Sequence, residues 1–74
     1  SNVLPGGIIM EAIFFDKLKQ RTVREIEKAT EEVTIMVTDT EYAGKVTFKL
    51  SFYDTKRRPV YTEVQREAVN VELD

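Results

Sequence analysis

The chain has 74 residues, 13 acidic against 11 basic side chains, and neither cysteine nor histidine. A chain of that length forms one small domain, residues 1–74, whose core sits near the lower limit of self-sufficiency with no disulfide to reinforce it. Without thiolate or imidazole it lacks the usual zinc and copper ligands, the thiol nucleophile and the side chain that titrates near neutrality, so neither an enzyme, a metal site nor a cofactor is expected.

Apolar residues at 42 % and charged residues at 32 % describe a soluble globular domain. The net charge of −2 gives no general attraction to nucleic acid or membrane. No apolar run approaches the roughly 18 residues of a membrane span and no signal peptide is visible, so a cytoplasmic protein with no membrane contact is expected. The Ser1-Asn2 opening reads as the remnant of a cleaved tag and is set aside.

In chain order, residues 1–7 read as a flexible lead-in that ends on the breaker cluster Pro5-Gly6-Gly7. Ile8 to Phe15 follows, apolar at seven of eight positions, so periodicity does not separate a buried helix from a buried strand. Ile8, Ala12, Phe15, Thr22, Ile26, Ala29 and Val33 keep a four-three spacing, which favours one nearly continuous helix. Thr22-Val23-Arg24-Glu25 is also a capping box, and on that reading Ile8–Phe15 is a strand with a helix over Val23–Glu32.

The second half is clearer. Val33, Ile35 and Val37 alternate with Thr34, Met36 and Thr38, which predicts a strand. Asp39 to Gly44 forms a connection in which Gly44 supplies a positive φ. Val46, Phe48, Leu50 and Phe52 then alternate with Lys45, Thr47, Lys49, Ser51 and Tyr53, the most regular strand of the chain, with one apolar and one polar face. Thr55-Lys56-Arg57-Arg58 reads as a turn, and Pro59 opens the next segment where its missing amide does least harm. In Val60–Leu73 the apolar parity changes from even to odd positions, so a strand needs a bulge near Arg66-Glu67; the rival reading is a helix capped by Thr62. The predicted fold is α+β, an N-terminal helix packed on a three-stranded antiparallel β-meander.

Two functional readings follow. The Ile8–Phe15 block carries more apolar surface than one helix and three strands can cover, so Ile9, Ile13 and Phe14 are expected to form an interface, making a homo-oligomer (a dimer) or docking a protein partner. The alternative is a small nucleic-acid-binding protein, with Lys56, Arg57 and Arg58 on the turn and Lys45 and Lys49 on the adjoining strand. Lys17, Lys19, Arg21 and Arg24 make a further basic group with no acid between them. Asp39-Thr40-Glu41 is too sparse for a calcium loop, and Ser51 has no histidine to activate it.

Overall fold

The computed structural model describes residues 9–38 and 43–68, and there the protein is all-β, a curled mixed sheet in the form of a half-barrel. The strands are β1 (Met10–Phe15), β2 (Arg21–Ile26), β3 (Glu32–Thr38), β4 (Ala43–Tyr53) and β5 (Pro59–Ala68), in the spatial order β2-β1-β5-β4-β3. The predicted meander is present as β3-β4-β5. The predicted N-terminal helix is not. In its place β1 and β2 form an antiparallel hairpin, and β1 joins the meander by pairing in parallel with β5.

The reason lies in the turn after Phe15. Asp16 Oδ1 accepts the Leu18 and Gln20 amides at 2.9 Å each, the Lys19 amide donates to the Asp16 carbonyl, and Lys19 takes φ 64°. Side-chain capping by Asp thereby offers the backbone a reversal that competes with helix propagation. The β4–β5 turn repeats the device. Asp54 Oδ1 accepts the Lys56 and Arg58 amides at 3.0 and 2.8 Å, and Arg57 takes φ 62°.

Thr22 and Arg24, members of the apparent capping box, lie in register with Phe14 and Ala12 on one face of the sheet. That concave face holds the core: Ala12, Phe14, Val46, Phe48 and Tyr61, with Ile26, Val33, Ile35, Val37 and Leu50 packed around them. Phe14 stacks on Tyr61 at 4.9 Å between centroids and meets Phe48 edge-on at 5.0 Å, both favourable aromatic geometries. Within β1 the run Ala12-Ile13-Phe14 is buried, its side chains falling on both faces of the sheet, while Glu11 is exposed. On the convex face Ile13 is in register with Val23 and Val60, and Val60 with Phe52; the middle pair is buried while Val23 and Phe52 are exposed.

Two register shifts interrupt the β4–β5 ladder, and the one in β4 corrects the reading of that strand as regular throughout. One lies between Leu50 and Phe52, which turns Phe52 off the core face and leaves it 55 % exposed. The other falls at Val64, two residues before the expected bulge. Gly44 is part of β4, not of a turn, and its lack of a side chain serves a close approach: a Cβ there would stand 2.8 Å from the Glu67 carbonyl oxygen.

The segment from Glu27 to Glu31 connects β2, at one edge, with β3, at the other, across one end of the half-barrel. Tyr61 donates its hydroxyl to the Thr30 carbonyl at 2.6 Å, and the Leu50 amide donates to the Glu31 carbonyl at 2.8 Å, so this crossing is tied to the core strands.

Replacing Tyr61 with Phe should lower unfolding free energy by about 1 kcal/mol at neutral pH, read from urea denaturation. Burial raises the Tyr61 pKa above its ordinary 10.0. The neutral phenol is therefore favoured in the folded state, a contribution complete below pH 10 and lost as pH rises through the raised value. Tyr61→Phe should remove that part of the alkaline loss, and an unchanged alkaline limb would refute the burial argument. Gly44→Ala should cost about 1–3 kcal/mol, because the Glu67 backbone must move to admit a methyl group.

Candidate functional site

The half-barrel is open between β2 and β3, and the opening forms a cleft of about 620 Å³ over the core. Phe14, Val46 and Phe48 make its floor and Ile35 and Val37 one wall. Thr22 and Arg24 of β2 make the opposite wall, and the Asp16–Gln20 turn with Glu63 and Arg66 closes an end.

The bulge at Val64 sets the chemistry of that end. In a regular strand Glu63 and Arg66 would point to opposite faces; here Glu63 lies opposite Phe48 and Arg66 opposite Val46, so both point into the concavity. Arg66 Nη2 donates to Glu63 Oε1 at 2.8 Å and its Nε to Oε2 at 3.1 Å, while the Lys17 amide donates to Oε1 at 3.2 Å. The Glu63 side chain is 0 % exposed, so a buried carboxylate is neutralised by a bidentate guanidinium. Asp16 is likewise occupied by the turn amides. Arg24, exposed on the β2 wall, has no hydrogen-bond or ion-pair partner among the described residues.

The expected interface residues are divided. Ile13 and Phe14 are buried, Phe14 at 2 % exposure in the aromatic stack, while Ile9 is exposed just before β1. The shortage of covering material argued from the sequence does not arise at Phe14, because a five-stranded sheet encloses its ring where a helix on three strands would not.

The basic residues are also dispersed. Lys45 and Lys49 point to the convex face, where Lys45 is in register with Glu67 and Lys49 with Glu32. Arg58 is engaged by Asp54 at 2.8 Å and Glu11 at 3.3 Å. Lys56 and Arg57 are exposed on the turn, roughly 26 Å from Lys45 at about 3.3 Å per strand residue. Arg21 and Arg24 point to opposite faces of β2. Acidic neighbours and this spread leave these basic side chains, among the described residues, without the continuous track that suits a nucleic-acid backbone. Asp39-Thr40-Glu41 lies outside the described residues, and Ser51 sits exposed at the β4 irregularity.

The edges are the other exposed chemistry. β2 carries Arg21, Arg24 and Glu25, and charges along an edge discourage strand addition. β3 carries its only charge at Glu32; Val33-Thr34-Ile35-Met36-Val37-Thr38 is an uncharged, mostly β-branched run with no strand on its outer side among the described residues. Met36 is exposed there. The predicted meander already had this strand at its outer side, and it stays at the edge because β1 adds to β5 at the other side of the meander. Compared with known proteins, the chain matches no family model, no curated protein and no solved structure.

The Asp54 pKa is held below its ordinary 3.8 first by the Arg58 amide; desolvation, next in size, opposes this, and the Arg58 guanidinium and then the Lys56 amide add to the lowering. The stabilisation it gives the turn is therefore present above pH 3.8 and lost as pH falls through the lowered value. An NMR titration of the Asp54 carboxyl carbon should give a midpoint under 3.8, and a midpoint at or above it would show that these bonds do not form in solution.

Proposed function

We propose that this protein is a non-enzymatic interaction module that self-associates by adding β3 of one copy to β3 of another. The observation that carries the reading is the unguarded β3 edge. An antiparallel pairing centred on Ile35 sets Val33 against Val37, Thr34 against Met36 and Glu32 against Thr38, so no like charges face one another. Main-chain hydrogen bonds would supply affinity, and the apolar side of each β3, Val33, Ile35 and Val37, would continue the concave face across the junction. A twofold antiparallel contact closes on itself at two copies, which restrains further growth.

This reading keeps the expected homo-oligomer and moves its contact from the Ile8–Phe15 block to the sheet edge. Exposed Ile9 lies before β1, away from that edge in the strand order. The proposal extends to a cytoplasmic setting, where a chain without cysteine loses no disulfide to the reducing environment. Among the described residues no helix is long and apolar enough to cross a membrane.

Light scattering over a concentration series should move from 8.6 kDa towards twice that mass. The double change Thr34→Glu and Met36→Glu places carboxylates opposite one another at both crossings of the pair, on exposed positions that a single copy tolerates. It should hold the protein at the lower mass with its strand dichroism intact. A single 8.6 kDa species for the unaltered chain at high micromolar concentration would end the proposal.

A further inference from the structure

We propose that the concave cleft binds an amphipathic monocarboxylate, its apolar chain lying along Ile35 and Val37 over the Phe14 and Phe48 rings and its carboxylate on the Arg24 guanidinium. The cleft volume of about 620 Å³ lies within the range of small-molecule sites, which pair an apolar lining with a few placed polar groups. The lining holds three cations, Lys17, Arg24 and Arg66, against two carboxylates, Asp16 and Glu63, an excess of one positive charge in a chain whose net charge is −2.

The excess is localised. Glu63 is satisfied by Arg66 and the Lys17 amide, and Asp16 by the amides of its own turn, so neither carboxylate reaches across to Arg24. Arg24 stands on the wall facing Ile35 and Val37, a fixed fork of donors bordering an apolar surface. Such a fork accepts a carboxylate bidentately, whereas a neutral or cationic head group would leave the guanidinium unpaired beside the ligand. The site lies on the concave face and does not depend on pairing at the β3 edge.

Decanoate is a suitable probe. Titrated into isotope-labelled protein below its micelle-forming concentration, it should shift amide signals around Arg24 and Ile35 saturably. Arg24→Ala should weaken binding by about tenfold or more through loss of a charge-assisted contact, and Arg24→Glu should abolish it. Decanol, with the same chain and no charge, should bind at least about tenfold more weakly than decanoate. Arg24 is exposed on an edge strand, so unchanged urea denaturation would verify that these variants fold. The Thr34→Glu/Met36→Glu protein should bind decanoate as the unaltered chain does, because both positions face away from the cleft, and this separates the present proposal from the pairing one. Absence of saturable shifts, equal binding by Arg24→Ala, equal binding of decanol, or loss of binding in the β3-edge variant would each overturn it.

Discussion

The fold depends on the contact between Phe14 and Tyr61. These residues sit in register where β1 and β5 run parallel, 47 positions apart in the chain, and their rings stack at 4.9 Å with Phe48 closing the group edge-on. Antiparallel hairpins assemble each half from local turns, but only the β1–β5 pairing makes one sheet of them. Its short register, from Ile13–Val60 to Phe15–Thr62, provides few backbone bonds to offset the closure of a long loop. Burial of the three aromatic side chains supplies the rest, and the Tyr61 hydroxyl adds a tie to the Thr30 crossing.

Placing β1 and β5 at the centre determines what remains outside. β2 and β3 become the two edges, and a crossing that spans one end brings the chain from one to the other without pairing them. A closed barrel would have no free edge, whereas a half-barrel has two and a cleft between them. The two edges are protected unequally. β2 interleaves charges with its β-branched residues; β3 has none after Glu32. The difference in charge, not in strand type, leaves β3 the less protected of the two edges.

Much of the second half was legible because its signals are local. The alternation of Val46, Phe48 and Leu50, the turn before Pro59 and the parity change in the last segment all belong to single strands or hairpins. The N-terminal half misled because two patterns coincide there: β2 contains Thr22 and Glu25 at capping-box spacing, and scattered apolar residues satisfy a helical period. The discriminating signal was the turn. Asp16-Lys17-Leu18-Lys19 and Asp54-Thr55-Lys56-Arg57 adopt the same Asp-anchored reversal, each with a basic residue at positive φ where glycine would be the easier choice. Reading the second as a turn gave grounds for reading the first as one. The parallel β1–β5 pairing had no local signal, and the cleft between β2 and β3 follows from it.

The candidate site arises from one irregularity. Were β5 to run through Val64 as a regular strand, Arg66 would turn to the convex face and leave the Glu63 carboxylate buried against Phe48 without its guanidinium. Removing one partner of a buried pair costs about 3–5 kcal/mol, so for this sequence bulge and ion pair stand or fall together. A hydrophobic pair at the same two positions would fill the concavity at less desolvation cost, and stability alone therefore does not account for the arrangement. The bulge accomplishes something else: it consumes the negative charge of Glu63 within its own strand. Arg24 is thereby left on the opposite wall with no carboxylate paired to it among the described residues and an apolar surface in front of it, and on that asymmetry rests the proposed preference of the cleft for an anionic head group.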